Sequence, residues 1–335
     1  MRNLCNTLSV VVLPFTLAFL STLPARGQGC IVARSSSLDM SPESQGGYLE
    51  AGDWDLTVGY RHQFSYKHFV GDVEQTYRVQ QGTEVMNKIN LEDINLTYQV
   101  TPRISLTLTV PLLFASRRAN NSYYTSTTAG LGDSALVAQG WLWNPRHAKR
   151  GNISIGFGVQ APTGKDNVQN NVLTTATATA PSVVTADYSI QPGSGGWGMI
   201  FQWQAFRDLV HNTIVYTTGN YLATQGGANN VLRSASALSQ PLTAYNAIQD
   251  QYLLQTGVSH PVSAIKGLSL TFGPRMEGVP AANLIGNDLG FRRPGFAISA
   301  GPASEKQCTA TARAAFPTRY SVRTATPPSP ITSGY

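Results

Sequence analysis

Gly132-Asp133-Ser134-Ala135 places a serine behind a Gly-Asp pair. A serine hydroxyl becomes a nucleophile when a base lies within hydrogen-bond reach, so an ester hydrolase built on Ser134 would need a histidine beside it. His62, His68, His147, His211 and His260 are scattered along the chain, and none sits in a recognisable hydrolase context. Pro162-Thr163-Gly164-Lys165-Asp166 holds a Gly-Lys pair but lacks the spaced first glycine and the hydroxyl residue of a phosphate-binding loop. Cys5, Cys30 and Cys308 form no zinc-spaced set with the histidines. Neither enzymatic activity nor a cofactor is expected on these grounds. A different set of residues suits non-covalent chemistry. Arg61, Gln63, Lys67, Asn95, Gln99, Gln160, Gln202, Gln204, Arg275 and Glu277 each fall on the polar side of an alternating segment. Lining a wet lumen, such groups set what passes by size, hydrogen bonding and charge. Their plainer role is to fill a narrow interior with hydrogen bonds.

The segments that carry them alternate with a period of two, which means strands with unlike faces. Trp54, Leu56, Val58, Tyr60, Phe64 and Tyr66 share one face of the first; Asp55, Thr57, Gly59, Arg61, Gln63, Ser65 and Lys67 share the other. In the second, Ile94, Leu96, Tyr98 and Val100 oppose Asn95, Thr97 and Gln99. Thr101-Pro102-Arg103 is a tight turn, and the third strand runs from Ile104 to Phe114. Further strands are expected at about 132–143, 153–161, 196–206, 213–222, 251–259, 268–277 and 291–300. In the sixth, Trp197, Met199, Phe201 and Trp203 lie outward and Gly198, Gln202 and Gln204 inward, with Ile200 an apolar exception. The connections alternate long and short. Outer-membrane barrels have this rhythm, with short periplasmic turns and long outside loops. A soluble sandwich has no reason for it. The expected fold is an all-β, transmembrane antiparallel barrel over residues 51–300. The five tryptophans lie near strand ends or on outward faces, as an interfacial girdle requires.

The ends of the chain agree with export. Arg2, the apolar run Leu8 to Leu20 and the small-x-small site Ala25-Arg26-Gly27 make a cleavable signal over residues 1–27. That apolar run is short for a membrane-spanning helix, which needs about 20 residues. Residues 28–50 read as a periplasmic segment. Cys30 is a candidate for lipid attachment, but Gly27 stands where an apolar residue is usual, so a leftover thiol or a disulfide end is preferred. The net charge of +6 is concentrated at the termini. Arg2 and Arg26 supply two, and Lys306, Arg313, Arg319 and Arg323 against Glu305 supply three, which leaves +1 for residues 28–300. A near-neutral body argues against a nucleic-acid partner, which a concentrated basic face would serve. The mean hydropathy of −0.12 excludes a helical membrane protein but not a barrel, half of whose side chains face water.

Several short motifs, in order, resemble a family of porin-like outer-membrane transporters named after a meta-pathway of phenol degradation. They are Gly52-Asp53-Trp54, Val110-Pro111-Leu112, Gly130-Leu131-Gly132-Asp133, Pro162-Thr163-Gly164-Lys165-Asp166, Gln191-Pro192-Gly193-Ser194-Gly195-Gly196-Trp197 and Arg293-Pro294-Gly295-Phe296. The resemblance covers about residues 48–300. It implies a barrel of about twelve strands, of which ten are visible, and passive passage of small hydrophobic or aromatic molecules. Outer-membrane lipid and small solutes are then the expected partners. Gly132-Asp133-Ser134 also resembles the start of a lipase and esterase family, a reading that ranks below a non-transporting barrel whose loops 115–130, 162–195 and 223–250 bind a partner. Residues 301–335 depart from the pattern. They lose alternation, and Pro327-Pro328-Ser329-Pro330 cannot join a ladder. A frameshift or truncation near Gly301 is the expectation, leaving the barrel unclosed.

Overall fold

β-Branched and aromatic residues at every second position suit a pleated surface with one apolar face, and these segments form ten long strands. A computed structural model describes residues 49–306, apart from 71–72, 149, 210–212 and 262–267. The strands are β1 (Trp54–Ser65), β2 (Val85–Thr101), β3 (Ile104–Ala119), β4 (Ala135–Trp141) and β5 (Gly151–Gln160). β6 (Gly198–Asp208), β7 (Ile214–Thr224), β8 (Gln251–Pro261), β9 (Leu268–Val279) and β10 (Gly295–Lys306) complete the set. Each pairs antiparallel with the next in sequence, giving a single meander from β1 to β10. The fold is the all-β antiparallel architecture expected from the alternation.

The sheet curls on itself. Arg61 of β1 hydrogen-bonds Glu277 of β9, so the curl brings the first strand within side-chain reach of the ninth. Among the described residues β1 pairs with β2 and β10 with β9, and no ladder joins β1 to β10. Among the described residues the meander has ten strands, the number expected to be visible. β10 runs past the boundary expected at Ala300, with Gly301 to Lys306 paired in register to Gly273 to Leu268. The rest of the tail, the signal and Cys30 lie outside the described residues.

Several loops are more ordered than their polarity suggested. β2 begins at Val85 and β3 continues to Ala119, so both reach beyond the apolar stretch that identified them. Within the expected loop 115–130, Ser126–Leu131 adds to β3. The segment 162–195 contains a hairpin, Gln169–Val172 with Ser182–Thr185, and a short 3-10 turn, Tyr188–Ile190. The Thr/Ala run 174–180 lies between the two arms of that hairpin, mostly exposed. The segment 223–250 holds a second hairpin, Ala228–Leu232 with Tyr245–Ala247.

Candidate functional site

Burial along the sheet is inverted relative to a water-soluble protein. The outward positions are apolar and exposed: Leu56 at 61%, Phe157 at 65% and Phe272 at 62% are representative. The inward positions are polar and covered: Gln202 is 1% and Gln204 0% exposed. Soluble proteins bury apolar side chains and seldom expose a contiguous apolar face. A barrel in lipid does the reverse, because lipid solvates the outer face and the inner one faces water or its neighbours. Outward aromatics pair across strands, with Trp54 and Tyr98 ring centroids 4.7 Å apart and Phe157 and Phe201 5.3 Å apart.

The inward face carries two constellations. One sits on β1 and β9. Arg61 Nη2 donates to Gln63 Oε1 at 3.3 Å, and Arg61 also grips Glu277 through both guanidinium nitrogens. Arg275 Nη2 reaches the same carboxylate at 2.8 Å. Two guanidiniums thus share one carboxylate. The other constellation spans β4, β5 and β6. Gln139 Nε2 donates to Ser154 Oγ at 2.6 Å, and Gln202 Nε2 donates to Gln139 Oε1 at 3.1 Å. A side chain at Gly156 would collide with Gln202, its ideal Cβ falling 2.6 Å from Cγ, so this inward glycine makes room for the amide network. Near the short-turn end Trp141 and Phe206 meet edge to face at 5.8 Å. Trp141 pairs with Ser154 and Phe206 with Asn152, which puts both rings on the inward side.

Nine of the ten residues expected inward lie on the covered face. Asn95 Oδ1 accepts from Thr109 at 2.7 Å, and Gln99 is buried near the short-turn end. Gln160 closes β5 and donates to Asp133 at 3.5 Å. Arg61, Gln63, Arg275 and Glu277 come together; Gln202 belongs to the amide network, with Gln204 two residues on along the same face. Lys67 departs from the expectation. β1 ends at Ser65, so its alternation does not extend to Lys67, which pairs with Glu74 at 3.1 Å in the first long connection. Gln139 and Arg117 were missed as inward residues. Arg117 was findable, because it keeps the odd-number parity of β3 beyond Phe114.

The long connections fold back over one end of the curl. Ile190 (0% exposed) and Ala186 pack on Ile89, Leu91, Leu113 and Ala115, four apolar residues on the inward face of β2 and β3. This explains why an inward face turns apolar there. Asp187, between them, is held by Arg293 through two parallel bonds of 2.7 Å and by Arg117 at 3.5 Å. Burial alone would raise its pKa; the two guanidiniums reverse this and hold the carboxyl well below the usual range. Arg233 stacks 3.7 Å above the Phe291 ring, with Arg293 at 5.2 Å from that ring.

The glycine-rich motifs meet in one knot at this mouth. Ideal Cβ atoms on Gly164 would stand 2.7 Å from Gly193 and 2.8 Å from Gly132, so these backbones approach as only glycines permit. Asp133 ties the knot, accepting from Gly164 N at 3.0 Å, Ser194 N at 2.7 Å and Ser194 Oγ at 2.6 Å. Ser134, the candidate nucleophile, receives a hydrogen bond from Thr163 Oγ1 at 3.0 Å, and among the described residues no histidine bonds it.

No family model matches this chain, and no curated protein does. A crystal structure of an outer-membrane channel from Pseudomonas putida F1 is similar at 16% identity, covering 72% of this chain and 77% of that one, with a TM-score of 0.44.

Proposed function

We propose that this chain is an exported outer-membrane barrel protein that passes small molecules by diffusion along its inward face. One observation carries the reading: an apolar, exposed outer face around a polar, covered inner one. In water, the outer face would be a large aggregation-prone patch; in a bilayer it is the solvated surface. Passage needs no energy coupling and no cofactor. Inward polar groups would exchange hydrogen bonds with a moving solute. Hydrophobic or aromatic solutes are the finer reading that the family resemblance supplies. No catalytic step is assigned to Ser134, whose hydrogen-bond partner is a threonine and not a base.

A second reading, a barrel that does not transport, is favoured by the segment 161–197, which packs Ile190 into the mouth. Planar-bilayer recording separates the two. The purified, detergent-folded chain should give discrete conductance steps in KCl. Stable insertion without any step would favour the non-transporting barrel.

A further inference from the structure

The segment that fills the mouth is itself a description of what the wall beneath it binds. Asp187 supplies a carboxylate to Arg117 and Arg293. Ile190, three residues on, supplies an aliphatic group to Ile89, Leu91, Leu113 and Ala115. The wall therefore offers paired guanidiniums beside an aliphatic patch, in a partly desolvated place where charge-assisted bonds are strong. Arg117 and Arg293 both reach the Asp187 carboxylate, and Arg233 stands over the Phe291 ring that Arg293 also approaches. Deeper in, Arg61 and Arg275 likewise share Glu277. Fork-shaped guanidiniums recognise planar carboxylates by two parallel bonds, the geometry that Arg293 already makes with Asp187.

We propose that Arg117 and Arg293, with the aliphatic patch of β2 and β3, form a binding site for small apolar carboxylates, and that the Asp187–Ile190 segment is its tethered competitor. A solute carboxylate takes the place of Asp187 on the guanidiniums, and its hydrocarbon takes the place of Ile190 on the wall. This names the solute class for the channel reading and rests on that reading for the solute's route, though not for the site itself. An uncharged isostere gains the apolar contact and leaves the guanidiniums with Asp187, so charge becomes the discriminating feature once that internal carboxylate is removed.

The test is calorimetric titration of the full folded chain in detergent with hexanoate and, separately, with hexanamide, each corrected against empty micelles. In a folded Asp187→Asn chain, where no internal carboxylate competes, hexanoate should bind at least about tenfold more tightly than hexanamide, the ratio that a charge-assisted bond of about 1.5–3 kcal/mol implies. Asp187→Asn should raise hexanoate affinity severalfold by weakening the internal competitor, and Arg293→Gln should lower it about tenfold. Equal binding of hexanoate and hexanamide by the Asp187→Asn chain overturns the site, as does no binding of either by the native chain, a result that needs no variant to fold. Unchanged hexanoate affinity in a folded Asp187→Asn chain overturns the competitor role. Hexanoate binding in a chain that shows no conductance would retain the site and sink the channel reading. Conductance without a preference for hexanoate would do the opposite.

Discussion

His68 sits in the first long connection, under the arginines of the mouth. Burial is the largest influence lowering its pKa, followed by the charges of Arg78, Arg117 and Arg293. Its Nε2 lies 3.3 Å from the Val85 N–H and accepts that bond, which the neutral ring can do and the protonated ring cannot. An unfolded histidine titrates near ~6.5, and the folded value is lower, so the unfolded state binds more protons below that point. The stability tied to a neutral His68 is therefore present above about pH 6.5 and is lost as pH falls beneath it. Asp187 has the opposite setting. Its folded pKa lies far below the unfolded carboxylate value of about 3.9, so its contribution persists throughout mild acid. The gel-shift temperature of the folded band should thus drop between about pH 7.5 and about pH 5.5, and His68→Gln should remove much of that drop. An equal drop in the variant would assign the effect to other groups. Neither role was legible in the sequence, because His68 and Asp187 lie in polar connections where no period marks a side chain's direction.

At the scale of elements, the segment 161–197 behaves as a folded lid more than as a loop. Asp133 holds it by three donors, and Gly132, Gly164 and Gly193 let the backbones close. The sequence supplied these residues as motifs in a row, and their polarity suggested open turns. It held no sign that Gly164 would touch both Gly132 and Gly193, each about thirty positions away, since close approach of backbones is a property of the folded chain. Asp133→Asn replaces a charged acceptor by a neutral one. A charge-assisted bond contributes about 1.5–3 kcal/mol against about 1 for a neutral one, so opening of the lid should become roughly ten times more frequent. Limited trypsin digestion reads this directly, because Lys165 lies inside the lid. Cleavage after Lys165 should speed up by a similar factor, and an unchanged rate would mean that the glycine contacts alone hold the segment.

For the molecule as a whole, the outer face decides the environment. Ile155 is outward near the middle of β5. Arginine there should cost about 2–4 kcal/mol if the face lies at the bilayer midplane. On a sheet facing water, the same surface substitution would change stability by about 0.5 kcal/mol or less. Equilibrium unfolding of Ile155→Arg in lipid vesicles separates the two, and a negligible cost would count against a membrane location. The edges matter at this scale as well. β1 and β10 each carry a row of backbone groups with no ladder partner among the described residues, and such groups cost several kcal/mol each in lipid. The Arg61–Glu277 contact draws β1 toward β9 and narrows that opening.

The sequence alone determined the strands, their number in the visible meander and the face on which Gln63, Asn95, Gln202 or Phe157 lies. All of these follow from a period of two, and that period is local: each residue's direction is set by its neighbours along one strand. It also placed the short turns, because Pro102 and its neighbours act within a few residues. Tertiary structure decided which inward residues meet. Arg61 and Glu277 stand 216 positions apart, and only the curl of the sheet makes them partners. It also decided that Ile190 and Asp187 enter the mouth, and that the inward face of β2 and β3 is apolar there. Those outcomes depend on how far the sheet curls and where a long connection returns, and neither quantity is written in the alternation of any single strand.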